Sequence, residues 1–363
     1  MTPDLASTIR KQLNRAAIPG CSIAIVDGSG LQWSRGFGLA DLRSRTPAGP
    51  DTVYHLFSGT KLFTAVATLQ LAERNLVDIE APVTRYLPEQ SALEGIHIMH
   101  LLSHRSGLAD TLRGFLAVYF PDQRPPSTAE ALARYRIRAE GRPGRRVQYR
   151  NINYALLGEV ITRVSGTAYR DYVRDKVLSP LAMDVDFDFT EAMRSRAATG
   201  YIGRWDPMRL ALRVVTPDVA RRIYAGRTGS QIALREYGLA SAAVGGLVGN
   251  VQEFAKFVRD QLLGGRGVLS REWAARMQST VAQGKAGIES RDGVGLGWKM
   301  GSAAHGRFLN HEGGGAGFTS ELRLYPERGI GIALAMNAMR MPRTMMVSHA
   351  ICEALVGAGA PWA

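Results

Sequence analysis

The stretch FSGTKLFTAVATLQLAER, residues 57–74, decides how the rest of the chain is read. Its apolar residues Leu62, Val66 and Leu69 recur at helical spacing, so a helix is expected from Ser58 to about Arg74. Ser58 then stands at the start of that helix, and Lys61, three residues on, shares its face. A serine hydroxyl is a poor nucleophile at neutral pH until a base takes its proton. A lysine at a helix N-terminus is pushed towards its neutral, basic form by the helix dipole, and burial pushes it further. No other lysine of the chain has a serine three residues before it.

Outward from this segment, strands lie at both ends of the chain and helices fill the middle. Residues 4–17 read as an amphipathic helix stopping at Pro19-Gly20. The runs CSIAIVD and LQWSRGFGLAD are strand-like, joined by a hairpin turn at Gly28-Ser29-Gly30. YALLGEVITRVSG and YRDYVRDKVLSPLAM read as two helices broken at Gly166. Asn250 opens another, with N-V-Q-E resembling a capping box. VGLGWKM, GRFLNHEG, FTSELRLYP and GIGIALAMN return to strands before a last helix near 343–357. The expected fold is α+β: an antiparallel sheet built from both termini and flanked by helices, with a helical domain inserted. Residues 1–56 and 236–363 are assigned to the sheet domain. Residues 57–235 form the mostly helical one, with 184–235 read as an irregular, arginine-rich insertion.

Two further clusters carry chemistry. Tyr149-Arg150-Asn151 offers a phenol able to relay a proton and an amide able to orient both a lysine and a substrate carbonyl. His311-Glu312-Gly313 runs through Gly314 into a strand, where an edge with free N–H groups can hold a substrate backbone. The N–H groups of Ser58 and Gly314 are the expected oxyanion hole. A phosphate-cradling loop is disfavoured, because a strand and not a helix follows the glycines. No serine sits in G-x-S-x-G, no Walker or Rossmann pattern is present, and His97, His100 and His104 read as packing residues rather than metal ligands.

Several blocks in order, IPGCSIAIVDGSG, RGFGLADL, FSGTKLFTA, LLSHRSGL, YRNINYALLGEVI, AVGGLVGNVQEFAKF and NHEGGGAGFTSELRLYP, resemble the class C branch of the serine β-lactamase and penicillin-binding superfamily. D-Ala-D-Ala carboxypeptidases, D-aminopeptidases and family VIII esterases are its relatives. The resemblance implies the β-lactamase/transpeptidase-like fold and an acyl-enzyme on Ser58. Lys61 and Tyr149 would share the proton transfers, and Asn151 would position Lys61 and the acyl amide. The third motif departs from the Lys-Thr-Gly of many β-lactamases. His311 removes a fixed positive charge and Glu312 adds a negative one, so esters or amides are favoured over penicillins. Lys299 falls where the carboxypeptidase type carries a carboxylate-binding arginine, and with His311 and Gly313 is counted as substrate-binding. Arg340 and Arg343 are weaker candidates for the same role. The alternative is a non-catalytic penicillin-binding-type protein that holds peptidoglycan-like peptides or a protein partner.

Composition sets the outer limits. The 363 residues are 45% hydrophobic and 21% charged, with a net charge of +13. The arginines are scattered, without nucleic-acid-binding signatures, so the expected partner is a small ester, β-lactam or D-amino-acid peptide and not a nucleic acid. No run is apolar enough to span a membrane. The first twenty residues lack a secretory pattern, so a cytoplasmic location is expected as written, or a periplasmic or secreted one if a leader was trimmed. No metal or cofactor is expected. Cys21 and Cys352 are read as buried thiols, with one bridge between the chain ends left open.

Overall fold

A computed structural model describes residues 3–359 except 112, 113, 115 and 288. The helices that matter here are α1 (Pro3–Arg15), α2 (Thr60–Glu73), α3 (Asn151–Ser165), α4 (Pro207–Val215), α5 (Pro217–Ile223), α6 (Ala242–Gly245), α7 (Val251–Leu262) and α8 (Arg343–Gly357). The strands that matter are β1 (Gly20–Val26), β2 (Leu31–Asp41), β3 (Thr46–Pro47), β4 (Tyr201–Gly203), β5 (Tyr224–Thr228) and β6 (Gln231–Leu234). They continue with β7 (Gly293–Val294), β8 (Lys299–Ala303), β9 (Gly306–Gly315), β10 (Phe318–Tyr325), β11 (Ile330–Met336) and β12 (Ala338–Met339).

Both ends of the chain meet in one eight-stranded sheet, ordered β7-β8-β9-β10-β11-β1-β2-β3. Every adjacent pair is antiparallel. The join is β1 on β11, with Cys21 opposite Met336 and Val26 opposite Gly331. Because β1 is covered on both faces, it reads as a continuous apolar run. Cys21, Ile23 and Ile25 face α1 and α8, while Ala24 and Val26 face the larger core that holds α2 and α7. Cys21 and Cys352 lie in that first layer, both buried and both free thiols. The fold is the β-lactamase/transpeptidase-like α+β arrangement.

Helix α2 departs from the one-faced helix its spacing suggests: every residue from Thr60 to Ala72 is buried. A helix apolar all round suits the centre of a large core. Its polar side chains are therefore bonded internally, Thr64 Oγ1 donating to the Ala243 carbonyl at 2.7 Å and Gln70 Nε2 to the Lys176 and Val268 carbonyls. Asn250 caps α7 as its sequence indicates, accepting from the N–H groups of Gln252 and Glu253. The Glu253 carboxylate turns instead to the Asp184 N–H. Gly166 ends α3 at φ 68°, a left-handed stop that favours glycine.

Residues 184–235 are not irregular, which corrects the expectation. They hold α4 and α5, each with proline in the first turn, and strands β4, β5 and β6. With β12 these form a second sheet, β12-β4-β6-β5, in which Ala338 pairs in parallel with Tyr201. Strands of three to five residues are too short to show a period, and one partner of β4, the strand β12, lies over 130 residues away. Among the described residues, no helix is long and apolar enough to cross a membrane.

Candidate active site

Ser58 sits in a tight turn, Phe57–Gly59, that leads into α2. Phe57 holds φ 49°, an unfavourable conformation for a bulky residue. The turn is pinned from outside: Ser320 Oγ of β10 donates to the Leu56 carbonyl at 2.5 Å. Gly313 of β9 passes so close that a Cβ there would lie 2.1 Å from that same oxygen and 3.0 Å from the Ser58 nitrogen. This is the close backbone approach for which the glycine is needed.

Lys61 is fully buried. Its Nζ lies 2.9 Å from Ser58 Oγ and 2.9 Å from the Val244 carbonyl, which α6 delivers. Burial holds the amine well below its usual pKa; Asp110 opposes this and the Lys299 charge reinforces it. A neutral amine next to a hydroxyl is a base ready to take its proton.

Tyr149 packs against His104 at a tilt of 37°, ring centroids 4.4 Å apart, and faces His311 edge-on at 6.0 Å. The Lys61 and Lys299 ammonium positions lie 5.1 and 4.6 Å from its ring centre. Its hydroxyl is buried without a partner in hydrogen-bonding geometry. Burial pushes the phenol well above its usual pKa, against a lowering by the Ser58 hydroxyl. The ring is thus a protonated phenol at neutral pH, able to donate a proton, beside a lysine able to accept one.

Asn151 opens α3 at the cleft. Its N–H and that of Ile152 donate to the two Asp110 oxygens at 2.9 and 3.2 Å. Its side-chain oxygen has no partner, so the expected contact with Lys61 is not made through it; the Val244 carbonyl holds the lysine instead. His311 is fully buried behind Tyr149. Its Nδ1 donates to the Glu312 carbonyl at 3.0 Å, and burial, then Lys299 and Lys61, keep the ring neutral. Glu312 and Lys299 form a buried ion pair at 2.7 Å. Burial works to raise the Glu312 carboxyl, but Lys299 outweighs it and holds it below the usual range.

These groups border a cavity of about 670 Å³ that includes Ser58, Tyr149, Asn151, Lys299, Glu312 and Gly314. On the other side of Ser58 and Gly314 lies a narrower slot lined by Phe57, Leu116, Val118, Tyr135 and Met208. Two residues outside the expected set belong here. Asp110 stands on the cleft wall, and Lys285 is exposed on its rim. Arg340 and Arg343 are absent from the lining of the cleft, which Met341 and Met345 occupy.

A serine at the head of a helix, a buried lysine beside it and a nearby tyrosine, set against an antiparallel sheet with a helical flank, point to the class to which this chain belongs. It is a member of the β-lactamase family, which it matches over residues 5–351. It is 27% identical to an unguisins hydrolase of Aspergillus campestris over 97% of this chain, while spanning 65% of that protein. In structure it resembles a D-amino acid amidase of Ochrobactrum anthropi, with a TM-score of 0.81, 22% identity, and coverage of 98% and 99% of the two chains. It also resembles a class C β-lactamase of Rhodobacter sphaeroides, with a TM-score of 0.72, 18% identity, and coverage of 97% and 99%.

Proposed function

We propose that this chain is a serine hydrolase that opens neutral esters or amides through an acyl-enzyme on Ser58. The observation that carries the reading is the 2.9 Å contact between Ser58 Oγ and the fully buried Lys61 Nζ. Ser58 Oγ attacks the carbonyl carbon as its proton passes to Lys61. The N–H groups of Ser58 and Gly314 receive the oxyanion. When the tetrahedral adduct collapses, Tyr149 gives its proton to the leaving nitrogen or oxygen and takes one from the Lys61 ammonium. Water then attacks the acyl carbon by the same route and frees Ser58.

The choice of neutral substrates rests on the Lys299–Glu312 pair. A carboxylate entering the cleft meets a lysine whose charge is already balanced at 2.7 Å. The slot beside Ser58 is apolar and favours a compact hydrophobic acyl group. Amides come into this reading through the likeness to the D-amino acid amidase. A purely binding protein has no use for a buried amine held against a serine, which weighs against the alternative.

The test is a panel of p-nitrophenyl butyrate, D-phenylalanine amide, a D-Ala-D-Ala peptide and nitrocefin, with wild-type protein and Ser58→Ala. Turnover of the ester or amide above nitrocefin, abolished in Ser58→Ala, is expected. A fluorophosphonate should add one phosphonyl group to Ser58. Near wild-type turnover by the variant would overturn the assignment.

A further inference from the structure

Beside the cleft lies a second pocket of about 590 Å³ that the hydrolytic reading does not use. Three loops converge on it: 203–207 between β4 and α4, 227–230 between β5 and β6, and 340–343 between β12 and α8. Four arginines line it, Arg204, Arg227, Arg340 and Arg343, against one carboxylate, Asp206. That carboxylate caps α4, accepting from the Met208 N–H at 2.8 Å. Among the described residues none of the four arginines is in a salt bridge with a carboxylate. Arg227 Nε donates to the Gly229 carbonyl, Arg204 lies over the Trp205 ring at 5.1 Å, and Arg340 Nε is buried without a partner.

Four guanidinium groups around one committed carboxylate leave excess positive charge and unfilled donors, which an anion would satisfy. Guanidinium forks match oxyanions in pairs, and arginines supplied by three loops around one pocket suit a group with three or more oxygens better than a carboxylate with two. The pocket is also far larger than a bare anion. Trp205, 85% exposed, and Met341 supply apolar surface for the remainder of a ligand. Met341 lines this pocket and the cleft alike, so the two open onto one surface.

We propose that this pocket binds the phosphate group of a larger molecule, either a soluble phosphate ester or a phospholipid headgroup. The site is independent of the hydrolytic reading and stands or falls without it.

Titration calorimetry with inorganic phosphate and glycerol 3-phosphate tests the soluble source. Flotation with phosphatidylcholine vesicles, with and without phosphatidylglycerol, tests the lipid source. The full chain is compared with Arg340→Gln/Arg343→Gln and with Arg10→Gln/Arg85→Gln, which removes the same charge from exposed positions elsewhere; unfolding curves establish that each variant is folded. Saturable binding to the ester, or flotation that requires phosphatidylglycerol, is expected, weakened about tenfold or more by the pocket variant and little by the control. Binding to the ester assigns a soluble ligand, and binding to the vesicles alone assigns a headgroup. No binding in either arm, or equal weakening by both variants, overturns the proposal.

Discussion

Replacing Glu312 by glutamine leaves the Lys299 ammonium without its counter-charge in a site where the two side chains are 6% and 8% exposed. At 2.7 Å and an effective dielectric of about 20, the gross attraction is about 6 kcal/mol, most of it spent on desolvation. Removing one member of a buried pair typically costs about 3–5 kcal/mol, because the survivor stays buried and uncompensated. The cavity on one side lets water reach the stranded charge, so the lower end, about 3 kcal/mol, is expected for Glu312→Gln and for Lys299→Met. The double variant Lys299→Met/Glu312→Leu replaces the pair with apolar groups of similar size and should fall within about 1 kcal/mol of the parent. Urea unfolding followed by far-UV circular dichroism, with m unchanged, measures all four proteins. Single variants that cost under about 0.5 kcal/mol, or a double variant that costs more than either single, would refute the view that the two charges compensate each other.

Two further outcomes follow from the site. Gly313→Ala places a methyl group 2.1 Å from the Leu56 carbonyl and 3.0 Å from the Ser58 nitrogen, so the turn must shift by about 1 Å, with a loss of about 10²-fold in kcat. Gly28→Ala, whose Cβ meets nothing closer than 3.7 Å, is the control, and equal kcat for both would show that the contact does not set the nucleophile. The acylation rate should rise with pH as Lys61 loses its proton, with a midpoint below the ordinary lysine value because burial depresses it. Asp110 raises that midpoint and Lys299 lowers it. Asp110→Asn should therefore move the rising limb to lower pH and Lys299→Met to higher pH; shifts of the same sign would contradict the electrostatic account.

Much of this was legible in residues 57–74 and the strand runs at the chain ends, because helical spacing and alternation are local. The three-residue spacing put Lys61 beside Ser58, but the glycines after Glu312 did not tell that Gly313 would press on the turn that carries Ser58. What escaped was non-local or carried by the main chain. The Val244 carbonyl that holds Lys61 has no side-chain signature, and it reaches the amine through a four-residue helix 183 positions away. Asp110 acts only because α3 begins against it, 41 residues later in the chain. The Glu312 charge was visible, but its balance with Lys299 depends on the pairing of β8 with β9, where Lys299 lies opposite Asn310. Residues 184–235 looked irregular because their strands are only three to five residues long, and the edge of their small sheet is completed by β12 from far along the chain.

The turn that carries Ser58 is wound into an unfavourable conformation at Phe57 and held by a hairpin made more than 250 residues later. During synthesis the serine and its lysine emerge well before the strands that shape their turn, which follow more than 250 residues later. Over that interval the growing chain carries the pair without the surface that organises it. A chain truncated before residue 306 holds both residues of the pair but lacks the strand that completes their geometry.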